Sequence, residues 1–305
     1  MIVYDLKTMQ ACEPRKNTVV ALGAFDGCHI GHLTVFKEAH LMAKSLGCKS
    51  LVYTFDSVPK TKSNGVPKSI HTLNEKIRHI AGAGIDYIAI DSFEDVKDIE
   101  GREFVKSILM DKLRAKGAVC GYNYRFGKGA ECDSEALKEI LENYGGRVKI
   151  CGGVCVFSNI VSSSLIREKI IAGEVEEILN MCSPYSVYAP VVEGKRLGRT
   201  IGVPTINQII PKEKITPKRG VYVTECEIGE DVYPSVTNVG VRPSVEENGE
   251  INMETHIIGY SGNLYGSYVR VNFYKRLRDE IRFSCLDELK KQIEKDASEA
   301  VKYFK

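Results

Sequence analysis

TVVALGAFDGCHIGHLTVF, Thr18 to Phe36, is the stretch on which the fold turns. It opens on a short β-branched run, Thr18 to Gly23, of the kind that fills a buried strand. Three glycines and two histidines then crowd one turn, Gly23 to His32, before a helical pattern that runs from His32 to about Leu46 and stops at Gly47. Gly27 and Gly31 allow the backbone to approach a ligand closely, and the helix start offers free N–H groups and the positive end of a dipole to an anion. His29 and His32, three apart, point the same way and can donate hydrogen bonds to phosphate oxygens as charge builds in a transition state.

The same alternation continues outward. Apolar runs at Leu51 to Phe55, Tyr87 to Ile90, Gly117 to Gly121 and Val148 to Ile150 are separated by helical patterns, one opened by a Thr72-x-x-Glu75 capping box. Strands alternating with helices predict a parallel sheet with crossover helices, whose ligands sit beyond the carboxyl ends of the strands. The loops after Gly23, Phe55 and Gly121 are therefore where chemistry is expected. After about Asn180 the pattern changes to short strand-like runs, SVYAPVV, GVYVTECEI, DVYPSVTNVGV, INMETHII and SYVRVNFY, separated by turn signals. They predict an antiparallel β-barrel. A last helix is expected with Ser284 as its N-cap and Leu286, Leu289, Ile293, Ala297, Val301 and Phe304 on one apolar stripe. The expected organisation is a first domain over 1–170, a linker over 171–185 and a second domain over 186–305.

The 305 residues, 43% apolar and 27% charged, suit two globular domains and exclude a small disulfide scaffold. Forty-two Lys+Arg against 40 Asp+Glu leave a formal charge of +2, which argues against a nucleic-acid or membrane-surface partner. No leader pattern or membrane-length apolar run is present, so a cytoplasmic protein is expected, and its ten scattered cysteines read as free thiols. The C-x3-C pair Cys151 and Cys155 lacks a second pair at zinc spacing and reads as buried small hydrophobes.

Other residues carry chemistry at lower specificity. Arg167, behind three serines at a helix start, can grip phosphates bidentately or be a surface arginine on a capped helix. Asn123 can recognise a base or ribose or simply make a turn, and Asp56 can orient a ligand hydroxyl or cap a loop. Tyr122, Tyr124 and Phe126 can stack on a ring or pack. Gly121 to Gly129 is one residue too long for a P-loop and lacks its Ser/Thr. In the second half, Lys195, Arg196 and Arg199 form a cationic glycine-flanked loop from Gly194 to Gly202. Thr205 and Asn207 share a face of an extended segment and offer hard oxygens to magnesium. Glu254 is a candidate base or a solvent-facing strand residue.

G-x-F-D-G-x-H-x-G-H resembles the start of the bifunctional riboflavin kinase/FAD synthetase family, within the HxGH nucleotidyltransferases. Supporting segments are Thr54-Phe55-Asp56 with Pro59, GYNYRFG at Gly121 to Gly127, VSSSLIR at Val161 to Arg167, and GKRLGRTIGVPTIN at Gly194 to Asn207. Gly220-Val221-Tyr222, NVGVRPS at Asn238 to Ser244, Glu254 in M-E-T-H, and LYGSYVRVNFYKRLRDEIRF at Leu264 to Phe283 are similar to the family's kinase motifs. Departures fall at Ser57, Val58, Ser164, Ile206 and Ser244.

The resemblance implies a Rossmann-like nucleotidyltransferase domain followed by a barrel that phosphorylates riboflavin with ATP. In the first, His29, His32 and Arg167 would be catalytic, Gly23, Phe25, Asp26, Gly31 and Ser164 would bind ATP, and Asp56 and Asn123 would bind the flavin. In the second, Glu254 would take the proton from the ribityl hydroxyl, Thr205 and Asn207 would hold Mg2+ with ATP, and Gly194, Lys195, Arg199 and Gly202 would bind the nucleotide. Arg278 would approach the flavin, and Glu280 is read as structural. The implied partners are riboflavin, FMN and ATP. Two competing readings stay open: an enzyme with one working site, and a flavin- or nucleotide-binding regulator without turnover.

Overall fold

The computed structural model describes residues 1–6, 14, 16–58, 68–194, 202–241 and 251–305. The chain divides into two compact units, Met1–Ser163 and Ser164–Lys305.

The first unit is built on six parallel strands in the order β1-β4-β3-β2-β5-β6. These are β1 (Ile2–Asp5), β2 (Thr18–Leu22), β3 (Lys49–Phe55), β4 (Tyr87–Asp91), β5 (Ala115–Gly121) and β6 (Arg147–Cys151). The period of two explains why β2, a central strand buried along its whole length, is apolar on both faces. Val19 and Ala21 of β2 face a layer with Phe36, Ala39 and Ile80, whereas Val20 and Leu22 face a layer with Leu109, Leu137 and Leu141. Helices α1 (Ile30–Ser45) and α2 (Leu73–Gly82) supply the first layer. The second comes from α5 (Ser134–Asn143) and from a π-helical stretch, Phe104–Lys112. Two single-turn helices, α3 (Phe93–Val96) and α4 (Gly101–Glu103), precede that stretch. The capping box expected at Thr72 is present, with Thr72 accepting from the Glu75 N–H and Glu75 accepting from the Thr72 N–H. Helix α1 begins two residues before the expected His32 because His29 caps it.

A short hairpin, β7 (Cys155–Val156) and β8 (Asn159–Ile160), precedes α6 (Ser163–Ala172). The second unit then forms one antiparallel sheet in the order β10-β13-β12-β11-β14-β9. Its strands are β9 (Tyr185–Pro190), β10 (Ile206–Ile209), β11 (Gly220–Ile228), β12 (Asp231–Val241), β13 (Ile251–Ile257) and β14 (Tyr268–Arg278). The two edges meet, because the Val192 N–H donates to the Asn207 carbonyl at 2.8 Å. Gln208 of β10, fully buried, donates from Nε2 to the carbonyls of Ala189 and Val269 at 2.7 and 2.8 Å. Inside, Ser235, Thr224, Thr237 and Thr255 form a hydrogen-bonded hydroxyl chain with spacings of 2.8 to 2.9 Å. That chain satisfies polar groups which would otherwise be costly in a closed interior.

The closing helix, α7 (Leu286–Tyr303), packs Ala297, Ala300 and Phe304 over Val221, Val223 and Val236 on the outer face of the sheet. Its expected N-cap is corrected by one residue. Cys285 occupies that position without a side-chain bond, since Ser284 spends its N–H and hydroxyl on the Glu288 carboxylate at 3.1 and 2.8 Å. Leu286, placed on the apolar stripe, is exposed.

Replacing Gln208 by Leu removes the donor from two buried carbonyls at the barrel seam. Unfolding of the second unit, followed by urea titration, is expected to lose about 2 kcal/mol. A loss below about 0.5 kcal/mol would mean that the seam is held by other contacts.

Candidate active sites

In the first unit the loop between β2 and α1 is folded almost entirely by its own constraints. Phe25 (φ 50°), Gly27 (φ 83°) and Cys28 (φ 37°) all adopt left-handed backbone, a conformation non-glycine residues hold only where their surroundings impose it. One restraint is Asp26. Its carboxylate is buried and accepts the Ile70 N–H at 3.0 Å and the His71 N–H at 3.2 Å, and its carbonyl accepts the Ser163 hydroxyl at 2.7 Å. Phe25 is the other, packed edge-on against His32 and Phe36.

His29 caps α1 by accepting the His32 N–H at its Nδ1, 3.4 Å away. A neutral His29 therefore carries its proton on Nε2, which becomes a donor. The two imidazoles stack with centroids 3.5 Å apart, and Nδ1 of His32 is buried with no hydrogen-bond partner among the described residues. Gly31 is required because a Cβ there would stand 3.0 Å from the His29 ring. Burial pulls the His29 pKa down to about 4 against the opposing attraction of Asp26, and burial also holds His32 low, reinforced by His29 and Lys76. Both rings are thus neutral hydrogen-bonding groups at pH 7, set at a helix N-terminus.

Gly23, Asp56 and Asn123 follow the carboxyl ends of β2, β3 and β5, three adjacent strands. Asp56 is half-buried, donates its N–H to the Asp91 carbonyl at 3.0 Å and accepts the Ser57 hydroxyl at 3.0 Å. Asn123 is exposed within a turn closed by the Tyr124 N–H and the Gly121 carbonyl. Of the aromatics beside it, Tyr124 and Phe126 are core packing, and Tyr122 is exposed. Ser164 and Arg167 lie on α6, in the second unit, exposed and half-buried respectively.

In the second unit strand register makes the site. Asn207 of β10 pairs with Glu254 of β13, Glu254 with Asn238 of β12, Asn238 with Val221 of β11, and Val221 with Arg278 of β14. Register partners share a face, so residues more than 70 positions apart form one lateral row on the face that also carries α7. Glu254 is exposed and accepts from Asn252 Nδ2 at 3.3 Å, and the same amide donates to Asn207 Oδ1 at 3.1 Å. Asn238 donates to Glu280 Oε1 at 3.2 Å. Gly194 lies so close that a Cβ on it would collide with the Asn207 amide. Arg278 is held by Asp296 of α7, with Nε and Nη2 at 3.1 and 2.7 Å from Oδ2. Beside Thr205 opens a pocket of about 400 Å³, lined by Val191, Pro204, Ile206, Thr255, Tyr260 and Leu264 among others. Lys195 and Arg199 lie outside the described residues, between Gly194 and Gly202.

Residues 12–165 match the FAD synthetase family and residues 181–304 the riboflavin kinase family. The chain belongs to the bifunctional riboflavin kinase/FAD synthetase family. It is 30% identical to the bifunctional riboflavin kinase/FMN adenylyltransferase of Haemophilus influenzae, over 98% of this chain and 96% of that one. The enzyme of that name from Bacillus subtilis is 31% identical, over 96% and 94%. A solved structure titled as a macrolide-efflux protein from Streptococcus pneumoniae superposes with a TM-score of 0.87 at 28% identity, covering 98% of both chains. Among the described residues no helix is long and apolar enough to cross a membrane.

Within this family fold, the residues that sequence reasoning missed are those made important by pairing. Asn252 reads as an ordinary strand residue until register places it beside Glu254, and Asn238, the first residue of the NVGVRPS motif, gains its place in the row from the same pairing. Asp26 and Phe25, expected among the nucleotide contacts, use their side chains to shape the loop and to back His32.

A pH dependence follows from the histidines. His29 is neutral in the folded unit down to about pH 4, whereas in the unfolded chain it takes up a proton near its ordinary value of 6.5. Stability of the first unit is therefore full above that value and falls as pH drops from about 6.5 to about 4, by at most about 3 kcal/mol from His29. Denaturant unfolding at stepped pH reads this loss, which His29→Gln should reduce. An identical acid dependence in wild type and variant would refute it.

Proposed function

We propose that the second unit transfers the γ-phosphate of ATP to riboflavin, giving FMN, and that the first joins FMN to the AMP moiety of a second ATP, releasing pyrophosphate. The observation that carries this is the lateral row Asn207, Glu254, Asn238, Val221, Arg278, which sets a carboxylate, amide oxygens and a fixed guanidinium on one sheet face. An exposed carboxylate can accept the proton of the ribityl hydroxyl as its oxygen attacks the γ-phosphorus. Asn252, by hydrogen bonding Glu254 and Asn207 together, fixes the base relative to the amide.

Thr205 and Asn207 suit Mg2+ in chemistry. They offer a hydroxyl and an amide oxygen, and Asn207 Oδ1 keeps a second lone pair beyond the one shared with Asn252. When bound, such an ion neutralises charge on the transferring phosphoryl group. Lys195 and Arg199, in the loop between Gly194 and Gly202, keep the ATP-phosphate role their motif implies.

In the first unit the FMN phosphate is already an anionic nucleophile, so no base is needed to attack the α-phosphorus. The work left is alignment and stabilisation of charge. His29 Nε2–H, His32 and the free N–H groups of α1 donate to phosphate oxygens, and Gly23 and Gly31 keep the loop clear of bulk. Asp56 and Asn123 face the flavin, and Ser164 and Arg167 retain the phosphate role of their motif. The adenylylating half is taken as 1–170 and the kinase half as 186–305, joined by 171–185.

Purified protein supplied with riboflavin and MgATP is expected to form FMN and then FAD, resolved by chromatography. His32→Ala should lower FAD formation by a factor on the order of 100 or more and leave FMN formation intact. Glu254→Ala should stop FMN formation while FAD still forms from supplied FMN. FMN accumulating without FAD, or loss of both activities from either single change in a folded protein, would overturn the two-site assignment.

A further inference from the structure

The hairpin of β7 and β8 is anchored at both ends to loops at the ligand end of the first unit's sheet. Strand β3 lies on one side of β2 and β5 on the other, so the strand order reverses between β2 and β5 and a ligand is expected outside their carboxyl ends. Before the hairpin, the Cys151 carbonyl accepts the Tyr122 N–H of the loop after β5 at 2.9 Å. After it, the Ser163 hydroxyl donates to the Asp26 carbonyl of the loop after β2 at 2.7 Å. Between these anchors Cys155 pairs with Ile160 and Val156 with Asn159, which leaves Phe157 and Ser158 as a two-residue turn. Both take left-handed backbone, φ 48° and 67°, a pattern that Asn-Gly favours and phenylalanine resists. No packing explains the choice, because Phe157 is 76% exposed. Tyr122 and Ile160, each about half exposed, close on Gly153, where a Cβ would stand 3.2 Å from both.

We propose that Phe157, with Tyr122 and Ile160, binds the isoalloxazine ring of FMN during adenylyl transfer, the hairpin forming a flavin-binding wall at the ligand end of the sheet. This rests on the adenylyl-transfer reading above. Aromatic and branched apolar side chains suit a flat ring with a large apolar face. The isoalloxazine has such a face, with a dimethylbenzene edge, and Tyr122 directly precedes Asn123 in the loop already assigned to the flavin. Adenine is smaller and needs hydrogen-bond partners around its rim, which Phe157 and Ile160 do not supply. A strained turn that holds an exposed aromatic at this place is then explained by what the ring binds, not by the fold of the hairpin.

The test uses the full chain with Phe157→Asn, Phe157→Tyr and Tyr122→Ala. The KM values for FMN and for ATP are measured separately in FAD formation, and urea unfolding of the first unit is followed in each variant. Phe157→Asn is expected to raise the KM for FMN roughly tenfold, with the KM for ATP and kcat at saturating FMN within about twofold of wild type, as for lost ground-state binding. Its unfolding midpoint should rise, since asparagine accepts left-handed backbone. Phe157→Tyr should keep the wild-type KM for FMN, and Tyr122→Ala should raise it. An unchanged KM for FMN in Phe157→Asn overturns the proposal. So does a rise confined to ATP, which would give the hairpin to adenine, or a lowered unfolding midpoint, which would make Phe157 a structural residue. Absence of FAD from the wild-type protein would instead sink the adenylyl-transfer reading, and calorimetric titration with FMN would still decide whether Phe157→Asn weakens a flavin site.

Discussion

A single carboxylate, that of Asp26, holds the first unit's loop in a shape its own backbone resists. Of the four residues from Phe25 to Cys28, three stand in left-handed conformation and the fourth, Asp26, is buried. Two left-handed non-glycine residues cost on the order of 1–3 kcal/mol each, and a buried carboxylate costs more unless hydrogen bonded. The backbone N–H groups of Ile70 and His71 meet that need and couple it to the capped start of α2. Everything downstream in the site depends on the resulting turn. It points the His29 ring back onto its own helix, leaves room for that ring only because Gly31 has no side chain, and brings His32 under it.

The second unit depends on register in the same way that the first depends on a turn. The period of a strand is two, so a slip of one residue between β12 and β13 would move Glu254 away from Asn238 and turn its neighbours to the other face. Two features resist such a slip. On the inside, the hydroxyl chain from Ser235 to Thr255 pairs only in this register, with Thr237 directly opposite Thr255. On the outside, α7 fits Ala297 and Ala300 over Val221, Val223 and Val236, and Asp296 seizes Arg278 of β14. A buried acid on the apolar face of the last helix would be a liability without that arginine. With it, the helix and the functional row are one construction.

Legibility in the sequence follows the range of the interaction. The central strands β2, β3 and β4 were readable because a parallel strand covered on both faces is largely apolar along its length, and β6, an edge strand with Arg147 and Lys149 exposed, through its Val148 to Ile150 run. β1 was not, since it is four residues at a sheet edge with Ile2 and Val3 exposed. β10 read only as extended, because its identity as a strand comes from pairing with β13, about 45 residues later. The histidines, Gly31, Glu254 and Asn207 stood out through local motifs. The partner of Asp26 lies 44 residues away and that of Arg278 lies 18 away, and neither residue type announces its partner. The misplaced cap at Ser284 has a local cause. Serine is the better N-cap by propensity, but here Glu288, in the first turn, reaches past Cys285 to take both of its donors.

The two phosphate-handling sites also differ in how they manage charge, and the difference matches the nucleophile each is assigned. A hydroxyl must lose a proton to attack, so its site needs a carboxylate that the hydroxyl can reach, and Glu254 is exposed on its strand. A phosphate monoester is already anionic, and an additional base would only add repulsion. The first unit accordingly presents no exposed carboxylate in the β2–α1 turn, where Asp26 is buried and saturated by N–H groups. Its histidines are kept neutral, and in the proposed role they would act as donors to developing charge without a proton leaving or arriving. A protonated pair stacked at 3.5 Å would bind phosphate more strongly in the ground state, but with mutual repulsion and with affinity spent before the transition state is reached. Neutral, enclosed imidazoles at a helix N-terminus are the arrangement that favours the transition state over the bound substrate.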